Sequence, residues 1–242
     1  METNPYSPPT ELLDTTYFAT EARNATLREL WRMTPATLGG KVLAILVRTF
    51  RLTGPPQIGF AFNDVVRCDP TDVPELEARF NDTITTLGDL GYRPALAMKI
   101  PVIGDGYGNA LAFLADDPTT LAIIVESEVR TNGNIYGDSG LSFLSRNATT
   151  IWPTSNMRQT LNNPPMFEAV YLTGIGAEEL HAAHRERMQT FAASSLRRFT
   201  CDVLWDTLRE NESLIREFNL NRGVFRPMTI AEVEAVSQHN AT

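Results

Sequence analysis

The stretch from Arg93 to Leu172 constrains this chain most, because its apolar residues recur with a period of two. Leu96, Met98, Ile100 and Val102 alternate with smaller residues and Lys99. Asn109 to Ala115 reads as a strand closed by Asp116-Asp117-Pro118. Thr120 to Val129 is the most β-prone segment. Leu121, Ile123, Val125 and Ser127 fall on one face, and Ala122, Ile124, Glu126 and Glu128 on the other. Leu141 and Phe143 mark a further strand, Thr149 to Trp152 a short one, and Met166 to Leu172 the last. Gly104-Asp105-Gly106-Tyr107-Gly108 and Asn132-Gly133-Asn134 read as turns. Short strands joined by tight turns predict an antiparallel meander. Asn156 to Pro165 has no regular pattern and reads as a loop, long enough to form a rim or lid.

Helical patterns flank this meander. Ile58, Phe60 and Phe62 alternate along Gln57 to Asn63 and predict a first strand, after the break at Gly54-Pro55-Pro56. Asp72-Val73-Pro74-Glu75 then opens a helix. Val73, Leu76, Phe80, Ile84, Leu87 and Leu90 form its single apolar stripe, and Gly91 ends it.

After the meander comes a long helical run from Gly176 to about Leu220. At 100° per residue from Leu180, the residues Leu180, Met188, Phe191, Ala192 and Phe199 fall between 0° and about 120°. Beyond Phe199 the apolar residues Cys201, Leu204, Trp205, Leu208, Ile215 and Phe218 move to about 200–340°. One straight helix cannot bury both stripes on one sheet. A break is therefore predicted near Arg198–Cys201, with the later half seated on the N-terminal helices or on another chain. Thr229 to Glu232 is a capping box for a short last helix.

Together these elements predict an α+β fold: an antiparallel meander of about six to seven strands, one helix after the first strand, and a long C-terminal helix. Over residues 57–220 this element order resembles the helix-grip pattern of START and Bet v 1-like domains. The resemblance implies a curved sheet wrapped around the C-terminal helix, enclosing an apolar cavity for a hydrophobic small molecule or lipid. Met188, Phe191, Phe199 and His184 would line it, facing a meander rich in alanine.

Charge divides the chain. The 242 residues carry a net charge of −8, which argues against nucleic-acid binding. Residues 21–52 hold six basic side chains (Arg23, Arg28, Arg32, Lys41, Arg48, Arg51) against Glu21 and Glu29, a sum of +4, so the remainder carries −12. Leu27, Leu30 and Trp31 recur at helical spacing, and Thr34-Pro35 opens a second helix with the apolar run Val42 to Val47. That run is far shorter than the roughly 20 residues a bilayer requires. The division expected is a flexible tail over 1–20, a basic helical arm over 21–53 and one α+β domain over 54–242. The arm, with Trp31, Lys41, Arg48 and Arg51, would meet an anionic membrane surface or a protein partner, and Trp205 is a further contact candidate. The plainer alternative is an arm packed on the acidic body. The N-terminus lacks the basic and apolar regions of a secretory signal, so a cytoplasmic protein, peripheral to a membrane if the arm docks there, is expected. The five Asn-x-Ser/Thr sequons then read as chance matches.

Candidate chemistry is sparse. His181 and His184 are three residues apart, with Glu178 one turn earlier, and could act as an acid–base pair or as metal ligands. No third ligand is spaced to complete a metal site, so structural histidines are the plainer reading and neither metal nor cofactor is expected. Gly174-Ile175-Gly176 precedes a helix but lacks the third glycine of a dinucleotide fingerprint, and Glu178 and Glu179 would repel a phosphate. Glu126 and Glu128 share a strand face and would form a carboxylate pair if that face lined a cavity, or ordinary surface charges if it is solvated. Cys201 reads as a packed thiol rather than a nucleophile.

Overall fold

The computed structural model describes residues 16–52, 65–103, 105–131 and 134–239. The expected strand at Ile58, Phe60 and Phe62 lies outside the described residues, as does most of the expected tail. The described end of that tail is ordered. Phe18–Thr20 forms β1, with Tyr17, Phe18 and Ala19 buried. Next come α1 (Leu27–Met33) and α2 (Leu38–Phe50). They are followed by β2 (Val66–Cys68), α3 (Pro74–Arg79) and α4 (Asn81–Asp89). The central strands are β3 (Tyr92–Ile100), β4 (Asp105–Ala115), β5 (Leu121–Thr131), β6 (Asn134–Arg146), β7 (Ile151–Ser155) and β8 (Val170–Tyr171). The chain closes with α5 (Ala177–Met188), α6 (Cys201–Asn221), β9 (Phe225–Pro227) and α7 (Ile230–His239).

The fold is α+β. Seven strands form one sheet in sequence order, β2 to β8, and every neighbouring pair is antiparallel except β7 and β8. The last pair is parallel because residues 156–169 carry the chain back along the sheet before β8 begins. Residues 105–108, expected as a turn, extend β4, with Asp105 paired to Arg130 of β5. The single helix expected over 73–90 is two. Phe80, at φ −109° and ψ 21°, ends α3 and begins α4.

Both faces of the sheet are covered. Ala97, Leu111, Phe113, Ala122, Ile124, Leu141 and Phe143 pack under Leu76 of α3, Leu87 of α4 and Leu180 of α5. The alternate residues, among them Leu96, Met98, Ala110, Ala112, Leu121 and Leu144, pack under Leu204 and Leu208 of α6. The long run therefore splits into two helices on opposite faces of one sheet. Residues 189–200 carry the chain around the sheet's end, held where the Arg197 N–H donates to Arg146 O (2.8 Å) and the Phe199 N–H to Pro118 O (2.6 Å). This corrects the expected seating of the later half on the N-terminal helices or another chain. Trp205 and Phe199 belong to the α6 face. The helix-grip arrangement is not established, since the C-terminal α6 and the earlier α5 share the sheet between them.

The N-terminal segment is bound to the C-terminal one. β1 pairs antiparallel with β9, Phe18 opposite Pro227. Asn24 Nδ2 donates to Gly223 O (2.7 Å), and Arg32 Nη2 to Asn162 Oδ1 (2.7 Å) in the 156–165 loop.

Candidate functional site

Three places bear on function: the histidines under α5, the polar end of the same sheet face, and the outer face of α2.

His184 is fully buried between α5 and the sheet. Its Nε2 lies 3.0 Å from Ser145 Oγ and its Nδ1 2.9 Å from Thr154 Oγ1. The surrounding bonds assign the tautomer. Ser145 gives its single hydrogen to Thr119 O (2.9 Å), so it accepts from His184 Nε2–H. Thr154 accepts from Arg187 Nη1 (3.1 Å) and gives its own hydrogen to His184 Nδ1. Burial first, then the Arg187 guanidinium and His181, push His184 down to about 3. The ring is neutral, doubly bonded and sealed, which makes it a tie between α5, β6 and β7. Its partners are two hydroxyls rather than a hydroxyl and a carboxylate, so the triad logic of a general base is missing. His181 is half-buried between Tyr92 (5.6 Å between ring centroids) and Phe143 (5.2 Å); it shares the Phe143 ring with His184 (6.1 Å).

The four expected ligand-contacting residues are not brought together. Met188 and His184 sit under α5, and Phe191 lies past the helix end with its ring 4.3 Å from that of Trp152. Phe199 is buried in the opposite core.

The carboxylate pair also separates. Glu126, expected on a solvated face, is 1% exposed. It forms an ion pair with Arg79 at the end of α3 and accepts from the Tyr107 hydroxyl (3.0 Å). The strand registers align it with Asn109 of β4 and Ser139 of β6, so a polar row closes the α5-side core. Glu128 is only half-buried, one row further out. Among the described residues no three His, Cys, Asp or Glu side chains converge to hold a metal ion. Cys201 is exposed at the start of α6 rather than packed. Gly176 is the N-cap of α5 with Glu178 and Glu179 in the first turn, the arrangement that discourages an anion.

The arm carries the least ordinary surface. In α2 the residues Gly40, Ala44 and Val47 turn towards α1, and Gly40 and Ala44 are fully covered. Everything opposite is open: Leu38, Val42, Leu43, Ile45, Leu46 and Phe50 are 40–81% exposed. Taking Ala44 as zero and 100° per residue, these six fall in one arc from about 100° to 260°, which also holds Gly39 and Thr49. Lys41 and Arg48 lie at its edge, at about 60° and 40°. Lys41 is exposed, and Arg48 Nη1 reaches the carbonyls of Arg23 (3.4 Å) and Ala25 (3.3 Å). Arg51 ends the helix in the left-handed conformation and is exposed, as is Trp31 on α1. An amphipathic helix ordinarily turns its apolar stripe towards the core; α2 turns it away. Sequence reasoning found the arm's charge and missed this orientation. The signal was Gly40 and Ala44, two small residues four apart, the first against the Pro35 carbonyl and the second against α1.

Fold and site together define an α+β protein with both sheet faces covered by helices and an outward-facing apolar helix on a basic arm. Comparison with protein-family models, curated proteins and solved structures gives no match. Among the described residues no helix is long and apolar enough to cross a membrane.

Proposed function

We propose that this is a peripheral membrane protein that lays α2 into the interface of an anionic bilayer. The observation that carries the reading is the arc of six exposed apolar side chains on α2, interrupted by Thr49, bordered on one side by Lys41 and Arg48 and open to solvent. Contiguous apolar surface of this kind marks an interaction site on a soluble protein. Transferring the exposed parts of six such side chains out of water is worth on the order of 1 kcal/mol each. Each cation near an anionic leaflet adds about 1 kcal/mol. The arm's sum of +4 favours lipid phosphates over a second copy of the arm, which would bring like charges together. The rest of the chain, at −12, would stand away from the surface. A hydrophobic ligand held between sheet and long helix has less behind it, because Met188 and Phe199 are buried on opposite faces.

Co-sedimentation of the full chain with phosphatidylcholine vesicles, with and without phosphatidylserine, tests the reading. The expected result is binding that needs phosphatidylserine, weakens with salt and is lost in a Leu43→Glu/Leu46→Glu variant with unchanged circular dichroism. Lys41→Glu should weaken it several-fold. A wild-type chain that stays in the supernatant at low salt, or a double variant that sediments as well as wild type, would overturn it.

A further inference from the structure

We infer that Arg146 of β6 and Asn211 of α6 form a binding site for a small oxyanion, a carboxylate or a phosphate, at the end of the sheet's α6 face. Both residues are more than nine-tenths buried, at 3% and 6% exposure. They are bonded to each other, Arg146 Nη1 donating to Asn211 Oδ1 (3.3 Å). Arg146 Nη1 also donates to Glu210 Oε2 (2.8 Å). Two further donors on this bonded pair, Arg146 Nε–H and Asn211 Nδ2–H, meet no acceptor in the structure. A buried polar group of this kind ordinarily has a partner.

The missing partner has a definite chemistry. Both orphan atoms are donors, so what they lack is an acceptor oxygen. One of them belongs to a permanent cation whose planar edge suits carboxylate and phosphate oxygens. The one carboxylate in place, Glu210, is 52% exposed, so the buried charge is covered only from the solvent side. Arg146 first, and Arg197 more weakly, hold the Glu210 carboxyl below the usual carboxylate range, so two guanidinium groups act on this corner. Arg197 is exposed on the loop that rounds the sheet's end, with its own N–H fixed to Arg146 O (2.8 Å). A neutral acceptor would satisfy only the two donors; an anionic oxygen would also answer the guanidinium once Glu210 turns away. Glu210 is the movable member, an internal stand-in that yields to solvent when the oxyanion seats on Arg146 Nε and Asn211 Nδ2. Among the described residues the other buried side-chain atoms without partners, Arg32 Nε and Asn109 Oδ1, stand singly and in separate elements.

The test is thermal unfolding of the full chain in sodium acetate and in sodium phosphate, each against sodium chloride at equal ionic strength. The expected result is a saturable rise in Tm in at least one of the two, roughly 3–5 °C at tenfold excess over Kd. Which salt responds separates carboxylate from phosphate. Asn211→Asp places a carboxylate beside Arg146 and should abolish the response while leaving Tm in chloride equal or higher. Glu210→Gln removes the competitor and should lower Kd several-fold. No salt-specific rise in wild type would overturn the site, and so would an equal rise in Asn211→Asp. If Asn211→Asp fails to fold, an unchanged Kd in Glu210→Gln overturns it instead.

Discussion

Arg222 Nη2 lies 2.5 Å from Glu29 Oε2, and the two are 193 residues apart in the chain. Glu29 is completely buried and also accepts from the Asn162 N–H (2.8 Å) and the Thr26 N–H (2.7 Å). One carboxylate thus fastens α1 to the end of α6 and to the 156–165 loop. Burial alone would raise its pKa, but Arg222 and the backbone donors outweigh it and hold Glu29 at about 2, below its ordinary 4.5. Glu29→Gln should cost about 3 kcal/mol in urea unfolding at neutral pH. A depressed carboxylate stabilises above its unfolded pKa and loses the effect as pH falls, so the gap to wild type should close between about 4.5 and 2. A gap that persists at the acid end would show that Glu29 acts through shape alone.

His184 should give the opposite kind of control, a base kept neutral. Its folded pKa of about 3 lies below the ordinary 6.5. Its contribution is intact above 6.5 and is lost as pH falls towards 3, because the unfolded chain then takes up a proton that the folded one refuses. Wild type should lose about 1.4 kcal/mol per pH unit more than His184→Gln across that range. Equal slopes would mean that the ring charges inside the fold.

Glu212 on α6 should respond in reverse. Burial pushes its carboxyl up to about 7, with Arg216 and Arg209 offsetting part of the effect. The folded state then carries a penalty that grows as pH rises from 4.5 to 7. Glu212→Gln should stabilise the protein by roughly 1–3 kcal/mol above that range and by nothing below it. Destabilisation at alkaline pH would identify a partner for the charged form.

The strands were legible in the sequence because alternation is a local property. The layers were not. Leu121, Ala122 and Ile124 are all fully buried, on two faces of one strand, and Glu126 is buried beside them. A run of apolar residues without polar interruption is the mark of a strand covered on both sides. Read that way, Leu121 to Val125 would have provided the second surface that Leu204, Trp205 and Leu208 needed. The break in the long run was visible from the drift of its apolar stripe, since the helix starts at Cys201. The polar row at Glu126 was hidden because its partner, Arg79, comes from a helix nearly fifty residues earlier (47 positions). The buried status of His184 rests on hydroxyls of Ser145 and Thr154, which carry no distinctive spacing.

Two adjacent glycines offer a test of the arm's geometry. A methyl group on Gly40 runs into the Pro35 carbonyl, whereas on Gly39 it meets only Thr37 Oγ1 at 4.0 Å. Gly40→Ala should loosen α2 from α1, with faster amide exchange throughout the arm and a loss of roughly 1–3 kcal/mol. Gly39→Ala should be neutral or stabilising by up to about 1 kcal/mol, the helix preference for alanine. If both variants behave alike, the close approach of α2 to Pro35 is not what holds the arm.

The pairing of β1 with β9 has a consequence for the order of assembly. The apolar helix α2 is synthesised well before β9 and Arg222, which secure the segment on which it sits. Sheet hairpins close through neighbours in sequence and can form as synthesis proceeds. The arm waits for a contact spanning most of the chain. For that interval α1 and α2 are anchored to nothing fixed, and a chain truncated ahead of Phe225 would keep a loosely held arm permanently.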